Sequence, residues 1–454
     1  MVEKRRRSLF PLGLAWLCAL GAPAASAQAT PDKPAAPTPA PSAKQPKAAP
    51  SRGPKPAARV SAAASAGDPG QAADLVRKGK SLIRAEHLKE AEGVMRQAAQ
   101  ARGQSIEALY DVARVTFASG DYRRSRAACR PLLQAEPNAA FSNLCMARAF
   151  LVWRRAARAE EYVEKARQAD PSNPELYQVL GDMKRVQGDV AASKAAYVQV
   201  LQRDPNDPDA HFGLGQLYLI APDPEAAEQQ FRAALAHETD WPEALYELGR
   251  LASGGEAVEL LKRAVAAKPK WTEARLALGA AQLAEGDIAT AETLFREVLK
   301  ANPNLPMAHS RLGMALGAKQ DYAHAEAELK RGLSGLPNDP DAALALARVY
   351  SRTDRPEDAF DAYRQAAGLE PTGSRALVEA GTYALGLGRS ALAQAFLEKA
   401  LEHTPNSAIA HARYADALLA RGEKDKAKEH YKLSLSSPGT IDRSAVQRRV
   451  DSLK

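Results

Sequence analysis

Residues 173–205 read NPELYQVLGDMKRVQGDVAASKAAYVQVLQRDP, and this stretch decides the fold. Asn173-Pro174 opens a first helix, because asparagine accepts bonds from the free N–H groups of a first turn and proline suits its first position. That helix carries a small residue, Gly181, just after Leu180. A second helix carries Ser193 and, four residues on, the bulky Tyr197 beside Ala196. Asp204-Pro205 closes the unit, since proline cannot continue a helix. Two amphipathic helices approach closely only where both present small side chains, and a bulky residue then fills the wedge beside the crossing.

Outward from this stretch the pattern recurs with a period of 34. The first small column reads Gly79, Ala113, Ala147, Gly181, Gly215, Gly249, Gly279, Gly313, Ala347, Gly381 and Ala415. The second includes Ala91, Ser125, Ala159, Ser193, Ala227, Ala291, Ala325, Ala359, Ala393 and Ala427. Met95, Tyr197, Phe231, Phe295, Tyr363 and Tyr431 are among the bulky residues. Pro137, Pro171, Pro205, Pro269, Pro303, Pro337, Pro371 and Pro405 close repeats, and Asp204-Pro205-Asn206-Asp207-Pro208 supplies a turn and the next helix start together. Eleven units begin near residues 72, 106, 140, 174, 208, 242, 272, 306, 340, 374 and 408. One step, Gly249 to Gly279, is four residues short near Ser253-Gly254-Gly255, about one helical turn. It reads equally as a neutral deletion or as a bend.

The phased columns resemble the tetratricopeptide repeat (TPR) family. The resemblance implies an all-α, right-handed α-solenoid over residues 70–440 with a capping helix over 441–454, whose Arg448, Arg449 and Asp451 face solvent. It also implies that the first helix of each unit lines a concave groove for protein partners through its positions 2, 5, 9, 12 and 13. Those positions hold Tyr110, Arg114, Phe117, Phe141, Leu144, Arg148, Leu151 and Val152 in units two and three. Units five and six place Phe212, Gln216, Leu219, Ile220, Tyr246 and Arg250 there. Aromatic rings interleaved with arginines are what a protein-binding surface needs, although some rings could instead pack between repeats. TPR domains that grip chaperone C-termini carry Lys and Asn at positions 5 and 9. Here the pairs are Tyr110/Arg114, Leu144/Arg148 and Gln178/Asp182, so that clamp is absent.

The 454 residues carry 62 Lys+Arg against 54 Asp+Glu, 45% hydrophobic residues and 6% aromatic ones. That composition excludes wholesale disorder and demands a core of small aliphatic side chains. Lys4 to Arg7, the apolar Leu9–Leu20 and Ala25-Ser26-Ala27 form a cleavable signal peptide over 1–27, with cleavage between Ala27 and Gln28. Its apolar run is too short to span a bilayer, which takes about 20 residues. Leu17 before Cys18 argues against lipidation. Arg6-Arg7 resembles part of a twin-arginine signal, but Arg5 stands where Ser or Thr is usual, which favours general secretion. The chain is thus expected in the periplasm, peripheral to either membrane, with no transmembrane anchor after cleavage. Residues 28–69, with ten prolines, should form a disordered tether.

The sequence offers no basis for catalysis, a cofactor or a metal site. His-Glu-x-x-His does not occur. Gly79-Lys80-Ser81 lacks the first glycine of a phosphate loop, because Asp74 stands there. His211, His309 and His411 share the fourth position of their units, too far apart to share a metal, and read as packing residues. Cys129 and Cys145 lie on helices expected to pack together. They read either as a disulfide or as two buried thiols.

The net charge of +8 is uneven: +3 in the signal peptide, +4 in the tether, +6 over 70–171 and −5 over 172–454. An exported chain has no nucleic acid to meet. The expected function is a non-enzymatic periplasmic scaffold for protein–protein interaction in a cell-envelope assembly for secretion, polysaccharide export, pilus formation or motility. An acidic partner should engage the first three units and the tether. The alternative is a binder of cell-wall glycan (peptidoglycan) or acidic polysaccharide through Arg123, Arg124, Arg126, Arg130, Arg154, Arg155 and Arg158, which read more readily as a solvated helix face.

Overall fold

A computed structural model of the chain describes residues 69–369 and 374–453. The signal peptide and the tether lie outside the described residues, apart from Pro69, which begins the first helix. Among the described residues there are twenty-three helices and no strand. They pair in order: α1 (Pro69–Arg84) with α2 (Leu88–Ala101), α3 (Ile106–Ala118) with α4 (Tyr122–Ala135), α5 (Ala140–Val152) with α6 (Ala156–Ala169), and α7 (Pro174–Gln187) with α8 (Val190–Arg203). Next come α9 (Pro208–Ile220) with α10 (Pro224–His237), α11 (Pro242–Leu251) with α12 (Gly254–Ala267), and α13 (Thr272–Ala284) with α14 (Ile288–Ala301). The series ends with α15 (Pro306–Ala318) and α16 (Tyr322–Gly335), α17 (Pro340–Arg352) and α18 (Pro356–Leu369), α19 (Ser374–Gly386) and α20 (Ser390–His403), and α21 (Ala408–Ala420) and α22 (Lys424–Ser436). The last helix, α23 (Arg443–Ser452), packs on α22 through Val446 and Val450 and leaves Arg448, Arg449 and Asp451 exposed.

The chain is therefore an α-solenoid of eleven helix pairs, each pair packed on the next. Local chemistry sets the starts of many helices. The Asn173 side chain accepts from Glu175 N at the start of α7, and Asp207 accepts from Ala210 N (2.7 Å) at the start of α9. Proline occupies the first turn of both helices.

The two columns interlock directly. The Tyr197 ring is fully buried and lies over Gly181, where an added methyl group would come within 2.6 Å of Cε1. Phe231 sits over Gly215, Phe295 over Gly279 and Leu397 over Gly381 in the same way. The glycine is thus the floor under the bulky residue, a closer relation than a wedge filled beside the crossing. The short unit follows the same rule, with Leu261 over Gly249. Its deletion falls on α11, which has 10 residues where most first helices have 13. The turn after it is short, and Gly254 takes a left-handed backbone (φ 69°) that favours glycine.

Candidate functional site

The groove positions of the first helices gather an ion-pair network in units one to six. Arg148 on α5 donates to Glu175 at the start of α7 (2.6 Å) and to Asp182 on the same helix (3.1 Å). Its Nε also donates to the Tyr110 hydroxyl (2.7 Å), which donates to Glu175 (2.5 Å). Arg114 on α3 reaches Asp209 at the start of α9 (3.4 Å). Each of these residues occupies position 2, 5 or 9 of its unit, so the network links α5 to its neighbour α7 and α3 to the more distant α7 and α9.

The first unit reaches across to the fifth and sixth. Arg84, the last residue of α1, bonds Asp209 (2.7 Å) and pairs with Glu238, and its guanidinium lies 3.8 Å over the Trp241 ring. Lys80 lies 4.0 Å from the same Asp209. Glu86, just past α1, meets Lys268 at the end of α12 (3.0 Å). Asp209 and Glu238 of unit five thus accept from units one and two, and Lys268 of unit six donates back to Glu86 of unit one. These contacts close the groove of the N-terminal half on itself.

Burial of charge is costly unless opposite charge and hydrogen bonds offset it. Burial pushes the Asp209 carboxyl up, but Arg84, Arg114 and Lys80 outweigh that and hold it well below the usual carboxylate range. Burial likewise opposes ionisation of Glu175, and Arg148 and Arg114 reverse it. Burial raises the Tyr110 hydroxyl well above its ordinary value, so it stays protonated and donates. A cavity of about 200 Å³ remains in this region, lined by Arg114, Arg185, Asp209, Phe212, Gln216 and Trp241, among others.

Several groove expectations need correction. Tyr110 and Leu144, expected on the groove surface, are 1% and 0% exposed. Position 5 points between neighbouring first helices: Tyr110 packs against Phe141 (5.5 Å) and Phe117 (6.3 Å), both half-buried. Arg114 and Arg148 already have acidic partners within the chain. Phe212 packs at a tilt against Trp241 (4.3 Å) and Tyr246 against Trp271 (4.7 Å), with Phe212 and Tyr246 half-buried. Gln216 reaches the cavity, and exposed Arg250 bonds Glu247 (3.0 Å) on its own helix. Arg84, Glu175, Asp209, Glu238 and Trp241 were not among the expected site residues. A column of acids at position 2 (Glu175, Asp209, Glu243, Glu273) was the available signal, but sequence spacing does not say which arginine each acid faces.

The three position-4 histidines are staples. In each, Nε2 faces a turn carbonyl, that of Pro205 (3.0 Å), Pro303 (2.9 Å) or Pro405 (2.8 Å). Nδ1 faces Gln230, Glu328 or His430 on the second helix of the same unit. Cys129 on α4 and Cys145 on α5 place their sulfur atoms at bonding distance, with Cα atoms 5.5 Å apart. Among the described residues no group of three His, Cys, Asp or Glu is placed to hold a metal ion, and no helix is long and apolar enough to cross a membrane.

An α-solenoid of helix pairs with a charged inner groove defines a class of binding proteins. Two family models, each described as tetratricopeptide repeat, match residues 179–244 and 310–374, and residues 254–313 and 384–438. The chain belongs to the tetratricopeptide repeat family. Proteins built on these repeats mediate protein–protein interaction and are typically scaffolds or binding proteins. The chain is similar to the solved structure of yeast Tom70 at 13% identity and TM-score 0.45, covering 84% of this chain and 95% of that one. It is similar to MamA at 26% identity and TM-score 0.33, covering 36% and 90%. It is similar to PilW, a type IV pilus biogenesis factor, at 20% identity and TM-score 0.37, covering 42% and 91%. No curated protein matches the chain.

Proposed function

We propose that the chain is an exported, non-enzymatic scaffold that holds proteins of the cell envelope in its groove. The observation that carries this reading is the run of eleven packed helix pairs whose groove is latched in units one to six. A partner that meets the chain's acids and arginines would do so in the later units, where the groove pairs link neighbours only. Arg348 pairs there with Glu379 (2.5 Å) and Arg375 with Asp341 (3.1 Å). The exposed Ile409 adds apolar contact area there. Export rests on the basic, apolar and small-residue order of residues 1–27. Juxtaposed Cys129 and Cys145 support it, because disulfides persist in oxidising compartments.

Fractionation of cells carrying the tagged chain tests export: recovery in the periplasmic fraction with Gln28 as the new N-terminus is expected, and a cytoplasmic protein that retains Met1 would overturn it. Crosslinking in intact cells followed by purification tests the scaffold. Envelope proteins should be recovered with the wild type and lost when Arg348 and Arg375 are reversed to Glu. Recovery of none under several growth conditions would remove the reading.

A further inference from the structure

Most arginines of the solenoid have a carboxylate partner, Arg148 among them, but those of α4 and of the turn between α5 and α6 depart from this sharply. Arg123, Arg124, Arg126, Arg130, Arg154 and Arg155 are all exposed, and none is within ion-pair distance of a carboxylate among the described residues. The nearby acids are committed elsewhere. Asp121 caps α4 by accepting from Arg123 N (2.8 Å) and Arg124 N (3.2 Å). Glu160 bonds Lys184 (3.1 Å), and Glu161 bonds Arg158 (3.0 Å). Six guanidinium groups are therefore left facing solvent, on α4 and on the turn between α5 and α6.

An aromatic platform stands among them. Trp153, in that turn, is 49% exposed. Tyr122, at the start of α4, stacks beneath it at 4.4 Å with 22° between the planes. Phe150 supports Tyr122 from inside (5.8 Å), and Tyr162 supports Phe150 (5.5 Å). The Arg155 guanidinium lies 4.8 Å from the indole centre, so ring and charge form one composite surface.

We propose that this edge of units two and three, built on Tyr122, Arg123, Arg126, Trp153, Arg154 and Arg155, binds an acidic polysaccharide of the polyuronate kind. Guanidinium forks match carboxylates two bonds at a time. An indole face held rigid by Tyr122 suits the apolar face of a pyranose ring. Arg123, Arg126 and Arg130 follow one side of α4 over about 10 Å, a line of charge that an extended polyanion can follow. A protein interface needs a larger desolvated apolar centre, and a bilayer needs several apolar anchors; Trp153 is the one large exposed apolar side chain of this edge. The preference for a glycan over a nucleic acid rests on export.

The test is calorimetric titration of the purified protein with alginate oligosaccharides, at about 50 mM and about 300 mM salt. Neutral maltohexaose, poly(dT) and phosphatidylglycerol vesicles are the other arms. Alginate should bind, and binding should weaken with salt while maltohexaose stays inert. The R123E/R126E/R155E variant should lose at least about tenfold in affinity. W153A should lose severalfold, and the charge-matched K262E/K270E/K300E variant should bind as wild type. All substituted side chains except Trp153 carry exposed charge, and unchanged circular dichroism verifies the fold of each variant. Absence of alginate binding at low salt, equal loss in the charge-matched variant, or tighter binding of poly(dT) or vesicles than of alginate would each overturn the proposal.

Discussion

The Tyr197 ring lies between Gly181 and Gly213, and its hydroxyl donates to Asp182 (2.8 Å). Both glycines face the ring so closely that a methyl group on either would meet it within 2.6 Å. Gly181→Ala must therefore push the ring aside, at a cost of about 1–3 kcal/mol. Tyr197 on α8 packs onto α7 at Gly181, so hydrogen exchange should quicken chiefly in α7 and α8 and the urea midpoint should fall. Unchanged exchange in these two helices would show that the ring has room. Asp209 gives a second residue-level expectation. Its folded carboxyl titrates well below an ordinary carboxylate because of Arg84, Arg114 and Lys80. Its contribution is complete above the unfolded value of about 3.9 and is lost as pH falls below it. Between about pH 4 and pH 2 the wild type should lose more stability than Asp209→Asn, measured by urea unfolding at each pH. Equal losses would remove Asp209 from the network. The glycine columns were legible in the sequence because period and residue size state them directly. The partners of Asp209 were not, because Arg84 lies 125 residues away and no local pattern links them.

At the scale of the element, first-helix starts follow the chain closely: α3, α5, α7, α9 and α11 begin at residues 106, 140, 174, 208 and 242. Polar caps at α3, α7 and α9 and first-turn prolines at α7, α9 and α11 set most of these starts, and they act within a few residues. The four-residue deletion was legible in position but not in consequence. The structure assigns it to the last turn of α11 and to the following turn, while Gly249 still receives Leu261. The α4–α5 contact carries a further expectation. If Cys129 and Cys145 are bridged, neither thiol should label under denaturing, non-reducing conditions. Cys129→Ser should then lower stability by about 3 kcal/mol, the scale for a loop near the observed 16-residue separation. Full labelling of both thiols in the protein isolated without reductant would refute the bridge.

The whole molecule turns on the Arg84 latch. Arg84 meets Asp209, Glu238 and Trp241, and Glu86 meets Lys268, so units one, five and six share one cluster of charge. Arg84→Glu places an acid against two acids and removes the cation over the indole. Small-angle scattering should then show a radius of gyration larger by a few ångströms with helix content unchanged, because each helix keeps its own pair contacts. An unchanged radius would mean that the stacking of repeats alone sets the curvature.

The sequence by itself determined the repeat, its phase, the all-α solenoid and the division of charge between the two halves. These depend on residue size, helix period and caps, which act within one unit or between adjacent ones. Only the tertiary structure decided that Arg114 and Arg148 find their acids inside the chain, that Tyr110 and Leu144 are buried, and that the arginines around Trp153 stay unpaired. Curvature accumulates over many repeats, and it alone brings α1 within reach of α9 and Trp241; a period of 34 fixes what each unit looks like, not which distant unit it will face.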